Sequence, residues 1–131
     1  MAAGEAFTAT QNERIEKALA QASSETGLHF YLTVGPFSSQ SGFKAEAQRL
    51  LGVILDGTDN GAVLVAVDPG NKVLEIATSP AARERLTDHD AGLVVLSMTS
   101  SFTVGDLVGG IVNGLRMLAD AAGAPNPALT A

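Results

Sequence analysis

The sequence predicts an α/β domain, a small mixed β-sheet with helices on both faces, in the order α-β-α-β-β-α-α. Residues 62–67 (AVLVAV) contain no polar side chain, which indicates a strand buried on both faces. The turn at 68–71 (DPGN) reverses the chain into a second strand over 72–78. Segments with helical periodicity lie before and after this hairpin, and we expect them to cover the two faces of the sheet.

A helix and a strand are expected at the start of the domain. Thr10 and Glu13 have capping-box spacing and should open the helix, and Gly27 should end it. Residues 28–34 alternate between apolar and polar side chains, which is typical of a strand with one buried face. Residues 37–42 are serine-rich and predict a loop.

A second helix is predicted over about residues 43–55, directly before the buried strand. Strand, helix and strand at these lengths form a crossover, so the first two strands should be parallel. The turn at 68–71 makes the third strand antiparallel to the second. The strand at 62–67 should therefore occupy the centre of the sheet.

Two further helices are expected after the hairpin, following a short helical piece near residues 81–85. The first should begin at Thr87, end near Met98 and be broken by the hydroxyl residues 99–101. Thr103 and Asp106 have cap spacing and should open the last helix. That helix contains several glycines, each costing about 1 kcal/mol relative to alanine in an exposed helix, which indicates close packing against a neighbour.

Composition limits the classes of function. The 131 residues suit one domain over 8–122, with a flexible stretch at 1–7 and a disordered tail at 123–131. The formal net charge of −6 disfavours binding to a nucleic acid backbone but suits divalent cations. The chain has no cysteine, which excludes disulfides and thiolate chemistry. With no signal peptide or membrane span in the sequence, the chain as written is expected in the cytoplasm.

Three short motifs, in order, resemble the TPM domain family of thylakoid-lumen and bacterial envelope proteins. Residues 58–61 (TDNG) precede the buried strand, residues 86–92 (LTDHDAG) open a helix, and residues 102–110 (FTVGDLVGG) lead into the last helix. The chain departs from the family at 79–85 (SPAARER), where a glycine-rich segment is usual. The resemblance implies a TPM-like fold, association with the cell envelope, and a divergent actinobacterial-type member.

Asp59, Asp88 and Asp106 lie in the three motif loops and are the candidate metal ligands. If those loops meet at one end of the sheet, three carboxylates suit Ca²⁺ or Mg²⁺. The alternative assigns all three to turns and helix N-termini, where short acidic side chains are favoured. The sequence leaves both interpretations open.

No assembled nucleophile and base can be recognised, so the leading hypothesis is a non-catalytic TPM-like binding or accessory domain for a protein partner. The resemblance also implies an alternative, a metal-dependent phosphatase-like hydrolase of the acid phosphatase type. There the three aspartates would hold a metal whose bound water attacks the ester. A third possibility is a weak homodimer formed through the glycine-rich last helix; otherwise the chain is expected to be a monomer.

Overall fold

The computed structural model describes residues 7–35 and 43–124, and these ranges contain five helices and three strands. The predicted α/β class is confirmed, and the short helical piece predicted near residues 81–85 is present as a one-turn helix after the hairpin. The predicted loop at 37–42 and most of both predicted termini lie outside the described residues. The elements are α1 (Ala9–Thr26), β1 (His29–Val34), α2 (Phe43–Leu55), β2 (Ala62–Asp68), β3 (Val73–Thr78), α3 (Pro80–Arg83), α4 (Asp88–Thr103) and α5 (Leu107–Ala122).

The described sheet has the strand order β1-β2-β3, with β2 in the centre as predicted. β1 pairs with β2 in parallel, from His29 opposite Ala62 onward. β2 pairs with β3 antiparallel, with Val63 opposite Thr78. Every residue of β2 is buried, because helices cover both faces of the sheet.

The two faces of the sheet are covered unequally. Val63, Val65 and Val67 of β2 pack into a large core that α1, α4 and α5 complete. Leu64 and its neighbours on the opposite face pack against a smaller cluster supplied by α2, in which Ala47 and Leu51 are buried. α2 packs mainly on β2 and β3, so it leaves β1 less covered on this face.

The first helix begins earlier than the predicted Thr10 cap. Thr8 is the N-cap: its hydroxyl accepts the Gln11 N–H at 3.1 Å, and the Gln11 side chain accepts the Thr8 N–H at 2.9 Å. Thr8 and Gln11 thus form the capping box that the sequence interpretation assigned to Thr10 and Glu13. Phe7, placed in the flexible stretch by sequence, is buried in the large core.

The predicted break at residues 99–101 is wrong, because α4 continues to Thr103. The hydroxyls remain within the helix by bonding to backbone carbonyls one turn back. Ser100 Oγ donates to the Leu96 oxygen at 3.1 Å, and Thr103 Oγ1 donates to the Thr99 oxygen at 3.0 Å. Asp106 alone caps α5, so the predicted cap role of Thr103 is also wrong.

The glycines of α5 allow it to approach α4 closely. A Cβ on Gly110 would lie 2.7 Å from the Ser101 Cβ, and one on Gly114 would lie 2.5 Å from the Met98 methyl carbon. The spacing predicted close packing, and the contact is internal to the domain. Among the described residues, no helix is both long enough and apolar enough to cross a membrane.

Candidate functional site

Asp59 holds the loop before β2 against the end of β3. Its Oδ1 accepts the Gly61 N–H at 2.9 Å, and its Oδ2 accepts the Ala81 N–H at 3.0 Å. A hydrogen bond from the Ser79 side chain, then those two backbone bonds and the charge of Arg83, lower the pKa of this carboxyl below its usual value. The charged carboxylate of Asp59 therefore connects the loop before β2 to the chain that follows β3.

Asp88 lies in the first turn of α4, where the helix dipole favours a negative charge. The cap itself is made by its neighbours: Thr87 Oγ1 accepts the Asp90 N–H at 3.1 Å, and Asp90 Oδ2 accepts the Thr87 N–H at 3.2 Å. Asp88 and His89 are both exposed at this helix start.

Asp106 is the N-cap of α5. Its Oδ1 accepts the Gly109 N–H at 3.0 Å, and a Cβ on Gly109 would lie only 2.2 Å from the other carboxylate oxygen. The close approach of backbone and carboxylate explains a glycine at this position of the motif. The capping role predicted as the alternative for Asp106 is thus the one its contacts support.

The structure does not bring the three predicted ligands together. Asp59 lies beside Ser79, at the end of the hairpin opposite its turn. Asp106 follows α4 at the other end, where Gly105 lines a small cavity with the hairpin turn. Asp88 and Asp106 are separated by the length of α4, about 24 Å for 16 residues. In the described part of the chain, no three His, Cys, Asp or Glu side chains are grouped to hold a metal ion.

Arg85 has a structural role that the sequence interpretation missed. Its guanidinium donates to the Thr26 carbonyl at 2.6 Å, at the end of α1, and to the Gly123 carbonyl, at the end of α5. The positive charge of Arg85 thus lies at the C-terminal ends of both α1 and α5, where the helix dipoles are negative. The sequence did contain a signal for this role, since Arg85 occurs where TPM-family sequences have a glycine-rich segment. The two carbonyls that Arg85 binds, however, are 59 and 38 residues away in sequence.

An uncharged face of α4 is exposed at the surface. No charged residue occurs from 91 to 105. Leu93 is 51% exposed, Leu96 is 66% exposed and Val104, just after the helix, is 80% exposed. This side of α4 is left largely uncovered by the described part of the chain.

Comparison with protein families gives one match over nearly the whole domain. The family model described as "Domain of unknown function (DUF5130)" matches residues 2–119. Two uncharacterised proteins of Mycobacterium tuberculosis, from strains CDC 1551 / Oshkosh and ATCC 25618 / H37Rv, are each 29% identical over 104 residues. The matched region is 79% of this chain and 60% of each relative, so this chain corresponds to only part of their length.

Solved structures share the fold at low sequence identity. The NMR structure of the BA42 protein from Bizionia argentinensis has a TM-score of 0.75 and 18% identity, covering 88% of this chain and 81% of that one. An N-terminal domain from P. gingivalis has a TM-score of 0.74 and 13% identity, covering 88% and 75%. The N-terminal domain of the cg2496 protein from Corynebacterium glutamicum has a TM-score of 0.69 and 10% identity, covering 92% and 76%. At such identities the likeness establishes the fold alone.

Proposed function

Since the chain belongs to the DUF5130 family, matched over residues 2–119, we propose that it is a non-catalytic binding domain that presents a surface to a protein partner. The observation that carries this proposal is the exposed, uncharged face of α4. Exposed apolar side chains one turn apart on a helix, such as Leu93 and Leu96, are typical of a surface that another protein covers. In an acidic chain, an uncharged helix face also avoids bringing carboxylates into a partner contact.

The hydrogen bonds of the candidate acids support a structural use for two of them. Asp59 and Asp106 each accept backbone N–H groups, as turn and cap residues do. A metal-dependent hydrolase needs carboxylates that converge on one ion and leave a position open for water. The separation of Asp88 from Asp106 along α4 does not favour that arrangement.

The phosphatase-like alternative is tested by turnover. We expect a generic phosphate ester to be hydrolysed at the same background rate with wild-type protein and with Asp88→Ala, whether or not Mg²⁺ is present. Release of the alcohol product, followed by absorbance, provides the measurement. Mg²⁺-dependent turnover that Asp88→Ala abolishes would overturn the proposed function in favour of the hydrolase.

The predicted cation site is retained in the proposal only as weak binding at separate carboxylates. Single carboxylates without a shared cage bind Ca²⁺ weakly, at about millimolar concentration or above. In a two-dimensional NMR titration, amides near Asp59, Asp88 and Asp106 should therefore shift independently of one another. A single saturation curve shared by all three loops would instead require one cation site.

We also propose that this family is a divergent branch of the TPM fold. Of the three motifs that carry the resemblance, the first lies directly before β2, and the other two span the starts of α4 and α5. Residues 79–85, where the chain departs from the TPM pattern, have a structural role of their own. Ser79 caps α3, and Arg85 bonds the end of α1. Close relatives of this chain should retain the Asp-Asn-Gly and Gly-Asp turns. Loss of both turns in those relatives would contradict the proposed relation to the TPM fold.

A further inference from the structure

Strand β1 forms one edge of the described sheet, and its hydrogen-bonding groups alternate between the inside and the outside. The His29 amide donates to the Gly61 carbonyl oxygen just before β2, and the Gly35 amide donates to the Val67 carbonyl oxygen of β2, both at 2.8 Å. In the continuous parallel register, the odd-numbered residues of β1 bond to β2. The backbone groups of Phe30, Leu32 and Val34 therefore point away from the sheet.

Part of this outer edge is already used within the domain. The Ser23 hydroxyl of α1 accepts the Phe30 N–H at 3.1 Å. In residues 7–35 and 43–124, no other strand pairs with the outer side of β1. The amides and carbonyls of Leu32 and Val34 remain as the outward-facing groups that a further strand would bond.

The sequence of β1 itself, residues 29–34, carries none of the residues that usually prevent strand addition. Residues 29–34 (HFYLTV) contain no lysine, no proline and no glycine, and their register with β2 has no bulge. Proteins commonly protect edges with such residues or with bulges. An uncharged strand rich in β-branched and aromatic residues is instead a template for strand addition.

A cavity of about 210 Å³ lies beside this strand, on the face that α2 leaves less covered. Tyr31 and Ile54 form apolar walls, and each is 38% exposed. An apolar cavity of about 150 Å³ holds a benzene molecule, so this one accommodates an aromatic or branched aliphatic side chain. Its full lining is His29, Tyr31, Ile54, Leu55, Thr58, Asn60 and Ala62.

The end of α2 and the loop that follows it place negative charge beside this cavity, offset in part by Arg83 near Asp59. The C-terminal end of α2, at Leu55, contributes the negative end of a helix dipole. Asp56 and Asp59 are exposed in the loop that follows, and no Lys or Arg occurs between residues 50 and 71. A segment that binds here gains from carrying positive charge beside its apolar anchor.

We propose that the outer edge of β1 binds an extended, basic segment of a partner protein as a fourth strand, with one apolar side chain of that segment in the cavity. Backbone bonds to Leu32 and Val34 supply affinity, and the cavity supplies selectivity. This inference goes beyond the binding role proposed above and does not depend on the face of α4. A second copy of this chain is the less favoured occupant, because pairing would bring together two chains of net charge −6.

Selection of random heptapeptides displayed on phage tests this inference. Wild-type protein is immobilised, and an excess of soluble Val34→Pro protein competes for peptides that bind elsewhere. Proline removes the outward N–H of Val34 and leaves the bonds to β2, since that amide faces away from the sheet. We expect enriched peptides with alternating apolar residues and with Lys or Arg. A synthetic peptide of the enriched sequence should bind wild-type protein about tenfold more tightly than Val34→Pro.

A matched pair of substitutions tests the charge and the cavity without relying on the fold of the proline variant. Both substitutions remove the aromatic wall of the cavity, so both should weaken binding of the synthetic peptide. Tyr31→Lys should weaken it more than Tyr31→Glu, because only the lysine adds a charge of the same sign as the basic peptide. Asn113→Lys, on the exposed side of α5, adds the same charge outside both proposed surfaces and should leave the affinity unchanged.

Three outcomes would overturn the edge site: no enrichment over the competitor, enriched peptides that bind Val34→Pro and both Tyr31 variants equally, or a wild-type dimer in sedimentation that Val34→Pro abolishes. The last would assign the edge to a second copy of the chain. If the selection fails and no Mg²⁺-dependent ester turnover is found, only the edge site is overturned, and the proposed binding function stands. Failure of the proposed function is detected separately, by that turnover.

Discussion

Asp59 joins two backbone segments with one side chain. Its carboxylate bonds the Gly61 amide within its own loop and the Ala81 amide after β3. Gly61 has a positive φ of 90°, which lets the chain turn sharply into β2. The sequence indicated a turn residue here, but the bond to Ala81 spans 22 residues and depends on the tertiary fold.

Asp59→Asn should destabilise the domain in a pH-dependent way. The bonds that Asp59 accepts lower its folded pKa, so they add stability above the unfolded pKa of about 4. That stability is lost as the pH falls through the folded pKa. Urea denaturation should give a lower midpoint for Asp59→Asn than for wild type at pH 7, and similar midpoints near pH 2.5.

Asp88→Asn is the matched control for this measurement, because it removes a charge from an exposed helix start without a comparable set of bonds. Its midpoint should change less than that of Asp59→Asn at pH 7. Equal losses for Asp59→Asn at both pH values would show that the carboxylate charge is not what stabilises the corner.

Arg85 is the residue whose removal we expect to loosen two helix ends at once. Its bonds to the Thr26 and Gly123 carbonyls are charge-assisted and partly buried. Arg85→Ala should lower the free energy of unfolding by about 2 kcal/mol. Arg85→Lys should recover little of this free energy, because the lysine ammonium lacks the planar guanidinium that bonds the Thr26 and Gly123 carbonyls together.

Urea denaturation at neutral pH measures this loss, and Lys17→Ala on the exposed side of α1 should change stability by less than about 0.5 kcal/mol. A loss for Arg85→Ala no larger than that of Lys17→Ala would mean that the two helix ends are held by other contacts.

At the level of elements, the contact between α4 and α5 depends on where glycine occurs. Gly110 faces the Ser101 side chain and the Met98 carbonyl of α4, so a methyl group there meets rigid atoms. Gly92 lies on the exposed side of α4, and a Cβ there would have nothing within 4 Å. The same substitution should therefore have opposite effects at the two positions.

We expect Gly92→Ala to raise the free energy of unfolding by about 1 kcal/mol through helix propensity. Gly110→Ala should lower it by about 1–3 kcal/mol, because overpacking outweighs that gain. Thermal and urea denaturation of the two variants provide the comparison. Stabilisation by Gly110→Ala would show that α4 and α5 do not pack as closely as described.

The elements differed in how well sequence could predict them. The β2–β3 hairpin and α2 were predicted almost to the residue, because periodicity and turn residues are local signals. The end of α4 was predicted wrongly, because Ser100 and Thr103 are as compatible with a helix break as with bonds to carbonyls one turn back. Which of the two occurs is decided by the packing of Met98 and Phe102 in the core.

For the whole molecule, the sheet order and the two covered faces followed from sequence, but the arrangement of the candidate site did not. Three motif loops on one fold suggested one cluster of carboxylates. The actual placement depends on which end of each element its loop joins, and α4 alone separates two of the loops. The predicted order already made β1 an edge strand, but the partly uncovered face beside it could not be predicted, since it results from where α2 packs.

α4 packs beside β3, whereas β1 forms the other edge of the described sheet, so the exposed face of α4 and the edge of β1 are separate surfaces. A domain arranged in this way is suited to contact a partner at either side. The central claim is therefore that this chain acts by contact and not by turnover.

Site-specific photo-cross-linking tests that claim most directly. A benzophenone amino acid replaces Leu96 on α4 or, as the control, Lys17 on the charged side of α1, in the cells that naturally make the protein. We predict a discrete covalent adduct to another protein from position 96 and none from position 17, with the adduct lost when Leu93→Asp is added. Equal labelling from both positions, or none from position 96, would contradict the account.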